Sequence, residues 1–320
     1  MGKERDKIMN EPLHRRRFLE CMSWAGTGVL WTVSGGLAAS VTLDQAMAAG
    51  APKARPFTFL QISDSHIGFN KDPNPDARVT FREAVAKIAD LPVKPDFIIH
   101  TGDITQLSKP AEFDDADQIL KEAGLDAFHV PGEHDMLDEG QGKAYLDRYG
   151  AGGAVSALGD GWYSFDHSGV HFVGLITVKN LKAGGMGSLG PDQVDWLKKD
   201  LAGRAASQPI VVFTHMPMWV AYQPWGWGTD DADQAMALLA RFGSVTVLNG
   251  HIHQVLQKVE GNVSFHTARS TAFPQPAPGT APGPGPMKVP AETLRSVLGV
   301  RTVSLVKGQG ALAVVDTPLA

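Results

Sequence analysis

The sequence predicts an α/β fold in which helices cover a β-sheet, and three observations support this prediction. Short apolar runs, the pattern of buried strands, alternate with segments of helical periodicity between residues 57 and 267. Hydrophobic residues make up 43% of the 320 residues, which is enough for a full-sized core and too much for a disordered chain. This length suits one large domain or two small ones.

The predicted strands and helices alternate along the chain. The apolar runs that predict strands are Phe57–Ile62, Phe97–Ile99, Ala127–Val130, Trp162–Phe165, Val170–Ile176, Ile210–Phe213 and Val245–Leu248. Apolar residues at helical spacing predict helices around Phe81, Phe113, Leu197 and Met236. Pro191 stands near the start of the third of these helices, where proline is favoured.

After Gly250 the pattern changes, and we expect short strands without further helices. These strands are predicted at 255–259, 263–266, 300–306 and 311–315. Seven prolines and three glycines between Pro274 and Pro290 exclude regular structure and predict an extended loop, residues 274–290. The loop follows a Gly-His-x-His motif, so it either borders a site or is a solvated excursion, and the sequence leaves both open.

Charge and cysteine content exclude several classes of function. The formal net charge is −5, so the chain lacks the basic character of a nucleic-acid-binding protein, and we expect no nucleic-acid partner. The single cysteine, Cys21, excludes an internal disulfide and a cysteine-based zinc site. Cys21 is also an unsuitable nucleophile because it lies in a segment that we expect to be removed.

Residues 1–48 resemble a twin-arginine signal peptide rather than part of the fold. Arg15-Arg16-Arg17-Phe18-Leu19 precedes a glycine-diluted apolar run from Met22 to Val41, and Ala46-Met47-Ala48 fits a signal-peptidase site. We therefore expect residues 49–320 to form the mature domain, exported to the periplasm or secreted, with the twin-arginine machinery as a partner. The alternative is an uncleaved membrane anchor, because the run is marginally long enough to span a bilayer.

Five short polar motifs stand in order along the chain, each just after a predicted strand. They are Asp64-Ser65-His66, Gly102-Asp103, Gly132-Glu133-His134-Asp135, Thr214-His215 and Gly250-His251-Ile252-His253. The C-terminal ends of strands are where open α/β sheets collect ligand-binding groups. One such motif has little weight, but five in register with the strands predict one site.

Aspartate and histidine together suit manganese, iron or zinc, and a carboxylate such as Asp103 can bridge two cations. Two metals about 3.5–4 Å apart stabilise both oxygens of a phosphate displacement, and a metal-bound water becomes hydroxide near neutral pH. Such a centre needs no serine or cysteine nucleophile, which fits a chain without another nucleophile motif. The pattern thus predicts metal-assisted phosphoester hydrolysis.

The order of the five motifs, together with Gln193-Val194-Asp195-Trp196-Leu197, resembles the calcineurin-like metallophosphoesterase family. This family includes class III cyclic-nucleotide phosphodiesterases and purple acid phosphatases. The resemblance spans roughly Pro56 to Thr267 and implies a four-layer α/β/β/α sandwich. It also implies two metal ions of divalent or mixed valence.

The resemblance also implies a role for each matching residue. Asp64, His66 and His253 correspond to ligands of the first metal, and His215 and His251 to ligands of the second, with Asp103 as the bridge. His134 corresponds to the histidine that contacts the phosphate and assists the leaving group. We expect Asp135 to orient His134, as carboxylates orient catalytic imidazoles.

Glu133 departs from the family pattern, which has asparagine at this position. A glutamate can still ligate the second metal, but it adds a third carboxylate to Asp64 and Asp103. With two divalent ions the core charge falls from +2 to +1, which weakens attraction for a phosphate anion. The hypothesis is that Glu133 ligates the second metal and shifts the choice of metal towards iron or manganese, including a trivalent ion.

The remaining histidines have simpler interpretations. We expect His100 and His129 to be core histidines with satisfied hydrogen bonds, and we assign no function to His167, His171 or His266. The segment Met216–Trp227 is an aromatic loop after His215. It either offers a stacking surface for the substrate, with Trp225 or Trp227 setting preference, or buries its own rings.

The predicted function is an exported, metal-dependent phosphoesterase that hydrolyses small-molecule phosphodiesters, with the cyclic-nucleotide type as the first choice. The compact chain favours a diesterase, whereas export argues against intracellular signalling. A phosphomonoesterase or nucleotide pyrophosphatase is the alternative within the same chemistry. A non-catalytic metal-binding scaffold on the same fold is the alternative of another class.

Overall fold

The computed structural model describes residues 29–34, 37–42, 56–150, 157–181, 185–305 and 312–320. The chain divides into two units, residues 1–50 and 51–320. In the first unit, Val29–Ser34 (β1) and Leu37–Thr42 (β2) form an antiparallel pair. The predicted signal-peptide run thus partly coincides with β1 and β2, while its arginine motif and its Ala46-Met47-Ala48 site lie outside the described residues.

The second unit is built from strands and helices that largely follow the predicted alternation. Its strands are β3 (Phe57–Ile62), β4 (Phe97–His100), β5 (Asp126–His129), β6 (Ala157–Leu158), β7 (Tyr163–His167), β8 (Val170–Gly174), β9 (Ile210–Phe213), β10 (Val245–Asn249), β11 (Gln257–Glu260), β12 (Val263–Thr267), β13 (Gly299–Leu305) and β14 (Leu312–Pro318). Its α-helices are α1 (Ala77–Ala86), α2 (Pro110–Lys121), α3 (Lys143–Tyr149), α4 (Pro191–Leu201), α5 (Ala232–Leu239) and α6 (Ala291–Val297).

These strands form two sheets. The five-stranded sheet has the order β14-β13-β3-β4-β5, in which β3, β4 and β5 are parallel and β13 pairs antiparallel with β3. The seven-stranded sheet has the order β11-β12-β10-β9-β8-β7-β6, with a parallel centre from β8 to β12. The central strands of both sheets are parallel, so their C-terminal ends lie at one edge of each sheet.

Side-chain alternation along the strands produces the layers. On β3, Leu60 joins the apolar core shared with α1, α2, α3 and α6, whereas Phe59 joins a second core that includes Phe172 of the other sheet. On β9, Val212 packs with α4 and α5, whereas Phe213 joins the second core. Because alternate residues of a strand face opposite sides, each sheet is covered by helices on one face and by the other sheet on the second. The predicted α/β/β/α sandwich is therefore confirmed.

Two helices differ from the sequence expectation. Helix α3 was not predicted, and α6 shows that the expectation of no helix after Gly250 is wrong. Each has seven residues, and each buries one side chain fully, Tyr145 or Leu294. So short a helix presents too few apolar positions for a 3.6-residue period to be recognised. Residues 274–290 contain no helix or strand.

None of the helices in the described ranges combines the length and the apolar character needed to cross a bilayer.

Candidate metal centre

The five motifs lie where strands of both sheets end. Asp64 comes two residues after β3, and Asp103 three residues after β4. A 3-10 turn at Glu133–Met136 follows β5. His215 and His251 each come two residues after a parallel strand, β9 and β10. The topology thus brings residues from three strands of one sheet and two of the other to a single place.

The backbone of the predicted site residues is unusual. Five of them have left-handed φ values: Asp64 (54°), His66 (41°), Asp103 (50°), His251 (69°) and His253 (53°). Such conformations cost about 1–3 kcal/mol each for a residue other than glycine and persist only where the surrounding structure enforces them. Strain concentrated in this way is typical of functional sites and motivates a functional hypothesis here.

The glycines of two motifs allow the backbone to approach the site closely. A Cβ atom on Gly102, whose φ is +92°, would lie 2.6 Å from Nδ1 of His215. A Cβ on Gly250 would lie 2.7 Å from Oδ2 of Asp64. Any side chain at either position would displace a predicted ligand, which explains glycine there.

The predicted ligands form two clusters of one carboxylate and two imidazoles. In the first cluster, Nε2 of His253 lies 3.2 Å from Oδ1 of Asp64 and 3.3 Å from Nε2 of His66. The second cluster consists of Glu133, His215 and His251. In both clusters the donor atoms lie within 4.8 Å of one another, which is close enough for one cation to contact all three.

The second cluster is arranged around the carboxylate of Glu133. Its Oε2 lies 2.9 Å from Nε2 of His215, and its Oε1 lies 3.0 Å from Nδ1 of His251. Each carboxylate oxygen therefore faces a different imidazole. The glutamate occupies the place in which the sequence pattern predicted a ligand.

Asp103 lies between the two clusters. Its Oδ2 is 3.5 Å from Nε2 of His66 and 3.4 Å from Nε2 of His215. Its Oδ1 accepts a hydrogen bond of 2.9 Å from the backbone N–H of His134. This is the geometry expected of a bridging carboxylate.

Backbone carbonyls set the tautomers of two imidazoles. Nδ1 of His253 donates to the carbonyl of Phe273 at 2.6 Å, and Nδ1 of His215 donates to the carbonyl of Thr101 at 2.8 Å. In the neutral imidazole each remaining nitrogen, Nε2, is then a lone-pair donor directed at the clusters. Such orientation is characteristic of metal-binding histidines.

Buried polar atoms without hydrogen bonds test whether these residues suit cations. Within the clusters they are Asp64 Oδ2, His66 Nδ1, Glu133 Oε2, His215 Nε2, His251 Nδ1 and His251 Nε2. Leaving a buried polar atom unpaired costs about 1–3 kcal/mol, and more for a charged group. Cations within the clusters would satisfy the carboxylate oxygens, Nε2 of His215 and one nitrogen of His251, so the donor set fits a pair of metal ions.

The electrostatics of the clusters also favour cations. Burial lowers the pKa of His66 to about 3, which keeps this imidazole neutral and able to ligate. Burial opposes the charged form of His215 as well, but Asp103 and Glu133 raise its pKa well above the ordinary value. Burial likewise opposes ionisation of Glu133, yet His251 and His215 hold its pKa well below its usual range. A metal must displace the proton on His215, so binding is expected to release protons.

His134 lies beside both clusters, and its orientation corrects one expectation. Its Nδ1 donates to the carbonyl of Gln106 at 2.7 Å, which leaves Nε2 to act on a substrate. Burial opposes protonation of His134, but the charges of Asp103 and Glu133 raise its pKa above the ordinary value. The prediction that Asp135 orients this ring is wrong, because the Gln106 carbonyl does so.

Asp135 instead fixes the surrounding loops. Its carboxylate accepts hydrogen bonds from the backbone N–H groups of Ile104 (3.0 Å), Thr105 (2.8 Å) and Gly132 (3.0 Å). Burial and the neighbouring Asp103 raise its pKa to about 6. Asp135 therefore joins the Gly102-Asp103 loop to the Glu133–Met136 turn and positions residues of the site indirectly.

The histidines outside the motifs stay outside the clusters. His100 matches its prediction: its Nε2 lies 2.9 Å from Ser65 Oγ, and its Nδ1 accepts from the N–H of Gly102. His129 is buried and stacks on Tyr149 with ring centroids 4.2 Å apart. Its Nε2 lacks a hydrogen bond, however, so the prediction that it is fully satisfied is wrong.

In the aromatic loop, Trp227 is fully buried, whereas Tyr222 and Trp225 are partly exposed. The rings of Tyr222 and Trp225 lie 5.2 Å apart, and those of Trp225 and Trp227 lie 5.1 Å apart. The loop thus buries its innermost ring. Trp219, Tyr222 and Trp225 keep the partial exposure that a stacking surface would need.

Several residues of the site carry no sequence signal. The Phe273 ring packs on His66 and His253, with centroids 4.7 and 4.6 Å apart, and its carbonyl holds His253. Gln275 donates to the carbonyl of His251 at 3.1 Å. The start of the 274–290 loop therefore borders the metal centre. The position of Phe273 just before the prolines was the only available hint.

Comparison with known proteins agrees with this arrangement. A model of the family described as calcineurin-like phosphoesterase matches residues 57–255. The chain belongs to this family. Members are metal-dependent phosphoester hydrolases that generally bind two metal ions, and this chain carries candidate ligands for them.

Two relatives named as phosphodiesterases and one solved phosphatase structure are distant from this chain in sequence. A "Probable cyclic nucleotide phosphodiesterase" of Synechococcus sp. is 26% identical over 234 residues, 71% of this chain and 86% of the relative. A "Probable glycerophosphodiester phosphodiesterase" of Arcobacter nitrofigilis is 24% identical over 228 residues, 66% of this chain and 77% of the relative. The solved structure of a dimetal phosphatase from Danio rerio has a TM-score of 0.61 at 14% identity. It covers 82% of this chain and 96% of that one, and shows the shared fold.

Proposed function

We propose that this protein is an exported phosphodiesterase with a dinuclear metal centre that hydrolyses small-molecule phosphodiesters of the cyclic-nucleotide type. The observation that carries the proposal is the pair of three-residue clusters that share Asp103. In this proposal Asp64, His66 and His253 ligate one cation and Glu133, His215 and His251 ligate the other. Manganese, iron and zinc are the candidates, because all three accept imidazole and carboxylate ligands.

The bound cations would supply an activated water at neutral pH and would stabilise negative charge on the phosphate. His134 binds the phosphate and donates a proton to the leaving oxygen from Nε2, since its Nδ1 is committed to the Gln106 carbonyl. The raised pKa of His134 favours the protonated form that such a donor requires. Asp135 positions the loops that carry His134 and Asp103.

A diester is favoured over a monoester as the substrate. A monoester adds a second negative charge, and Glu133 adds a third carboxylate to the centre, so a singly charged diester suffers less repulsion. The Synechococcus and Arcobacter relatives are both named as phosphodiesterases. A phosphomonoesterase or nucleotide pyrophosphatase remains the second candidate, because the same clusters can act on those bonds.

Export by the twin-arginine pathway is part of the proposal. The Arg15–Leu19 motif, the apolar run and the Ala46–Ala48 site support it. The test is fractionation of cells that produce the full chain or a variant with Arg15, Arg16 and Arg17 all replaced by lysine. The wild-type protein is expected in the periplasm and the variant in the cytoplasm. Equal periplasmic amounts would refute twin-arginine export, and a membrane-bound wild-type protein would indicate an anchor.

Hydrolysis of bis(p-nitrophenyl) phosphate by residues 49–320 tests the catalytic proposal. Turnover is expected with manganese or iron, is lost with chelator, and is lost in His134→Ala at unchanged metal content. Turnover of p-nitrophenyl phosphate alone would favour a monoesterase. A folded, metal-loaded protein that hydrolyses neither compound would refute the enzymatic proposal and favour a metal-binding scaffold.

A further inference from the structure

The two halves of the metal centre are chemically alike. Each cluster has one carboxylate of its own and two imidazoles: Asp64 with His66 and His253, and Glu133 with His215 and His251. Asp103 adds a shared oxygen at nearly equal distances from the two sides, 3.5 Å from Nε2 of His66 and 3.4 Å from Nε2 of His215. Counted over the predicted ligands, the donor types and the formal charge of the two halves are therefore the same. His134 also lies within reach of His66 and Asp103, but it is assigned to the substrate.

Glu133 is the residue that gives the two halves of the metal centre the same formal charge. If a neutral amide stood in its place, the second half would hold only its share of the Asp103 charge, while the first half would keep Asp64. Attraction for a divalent cation scales with the charge that surrounds it, and burial strengthens the effect because the local dielectric constant is low. The carboxylate of Glu133 removes that inequality.

The surroundings leave this charge free to act on a cation. Among the residues that the structure describes, no lysine or arginine lies within 4.0 Å of the carboxylates of Asp64, Asp103 or Glu133. Oε2 of Glu133 is buried, and no lysine or arginine among these described residues is its partner. Its two oxygens instead face Nε2 of His215 and Nδ1 of His251 at 2.9 and 3.0 Å, so the carboxylate is aimed between its two fellow donors.

We propose that Glu133 gives the second half of the centre the same affinity for divalent cations as the first. The protein then binds two ions of one metal together and retains both. This inference rests on the proposed dinuclear function, and it assigns to Glu133 the role of equalising the two sites. It concerns metal retention, which can be measured without any turnover.

The test is titration of the metal-free full chain with Mn²⁺, followed by calorimetry and by the electron paramagnetic resonance signal of free Mn²⁺. The wild-type chain is expected to bind two ions in one unresolved transition and to keep two ions through gel filtration. Glu133→Gln preserves side-chain size and removes the charge. It is expected to bind one ion tightly and the second about 100-fold more weakly or worse, and to keep one ion through gel filtration.

Two further variants serve as matched controls. Asp64→Asn removes the corresponding charge from the first half and is expected to mirror Glu133→Gln, with one tight and one weak ion. Asp147→Asn removes an exposed carboxylate on α3 and is expected to bind two ions as the wild type does. Circular dichroism of each variant shows whether a loss of binding reflects unfolding.

Two results would overturn the inference. One is a wild-type chain whose two binding constants differ by more than about 100-fold, and the other is a folded Glu133→Gln chain that keeps two equally tight ions. These results are distinguishable from failure of the proposed function. A chain that binds two ions with equal affinity but hydrolyses no phosphoester would refute the proposed function alone. An active chain that binds its two ions with unequal affinities would refute the proposed role of Glu133 alone.

Discussion

In the described part of the chain, histidines meet carboxylates in two clusters that differ in how their charges are compensated. One is the metal centre. The other, the His171 cluster, consists of Asp166, His171, Asp200 and Arg204 in and beside the seven-stranded sheet. Nε2 of His171 lies 2.7 Å from Asp200, its Nδ1 lies 3.1 Å from Asp166, and Arg204 adds a guanidinium 2.8 Å from Asp166. Similar residue types thus meet in two places.

The His171 cluster is complete without a ligand. Both ring nitrogens of His171 have hydrogen-bond partners, and the residue lies within β8 without a left-handed backbone. In the metal centre, polar atoms remain unpaired and five residues adopt left-handed φ values. A cluster that contains its own cation, here Arg204, is structural. We propose that the cluster with surplus carboxylates and strained turns takes its cations from outside.

The largest expected effect is at the bridge of the metal centre. Asp103→Asn removes the charge shared by both halves, so we expect loss of bound metal and a decrease in kcat/KM of about 10⁴-fold, equivalent to roughly 5 kcal/mol. Asp200→Asn makes the same change in the His171 cluster and is expected to leave metal content and kcat/KM of the folded protein near wild type. Equal losses of activity in the two variants would contradict the distinction between the clusters.

The next effect separates metal binding from proton transfer within the metal centre. His134→Ala is expected to lower kcat by about 10²–10⁴-fold, because general acid catalysis is lost. Metal content should be unchanged, since His134 is not one of the proposed ligands. Steady-state kinetics and elemental analysis check this prediction. Loss of both metals from the variant would contradict this prediction and indicate that His134 ligates metal.

The His171 cluster is expected to contribute to stability alone. His171→Ala leaves the carboxylate of Asp200, whose side chain is 4% exposed, without its main partner. Leaving a buried polar group without its hydrogen-bond partner costs about 1–3 kcal/mol in the free energy of unfolding, and more for a charged group. Urea denaturation measures this loss, and kcat/KM of the folded fraction should stay within about twofold of wild type. A variant with wild-type stability would show that the contacts of His171 do not stabilise the fold.

Bound metal is expected to raise the free energy of unfolding through the metal centre and not through the His171 cluster. Each ion that binds only the folded state adds about 2.7 kcal/mol to the free energy of unfolding at 100 times its Kd. Removing metal with a chelator is therefore expected to lower the Tm of the wild type and of His171→Ala by similar amounts. The Tm of Asp103→Asn should hardly respond. A strong response of Asp103→Asn to chelator would mean that the bridge is dispensable.

The smallest effect concerns buried histidines that belong to neither cluster. Burial lowers the pKa of His129 and of His266 to about 4, from 6.5. The unfolded chain then binds protons that the folded chain excludes, so stability is complete above pH 6.5 and decreases as pH falls from 6.5 towards 4. Each histidine contributes up to about 1.4 kcal/mol per pH unit in this range. Urea denaturation of His129→Phe should show a pH dependence smaller by one proton, and an unchanged slope would refute this assignment.

The sequence by itself determined the main features of the fold. Period-2 and period-3.6 apolar patterns located the major strands and helices, because they reflect which face each element buries. The position of the five motifs after the strands predicted that Asp64, Asp103 and His215 belong to one site, because parallel strands end at a common edge. Even Glu133, the departure from the family pattern, was visible in the sequence.

Only the tertiary structure decided how those residues are oriented and which clusters need a cation. The carbonyls of Gln106, Phe273 and Thr101 orient three imidazoles, yet every residue has a carbonyl, so no sequence pattern reveals them. His171 lies in an apolar strand and His215 just after one, but His171 meets Asp166, which is paired with Arg204, whereas His215 meets Asp103 and Glu133, which have no lysine or arginine partner in the described part of the chain. Thr101 and His215 lie 114 positions apart in the chain. Contacts between such distant residues depend on how the two sheets pack, which local periodicity does not encode.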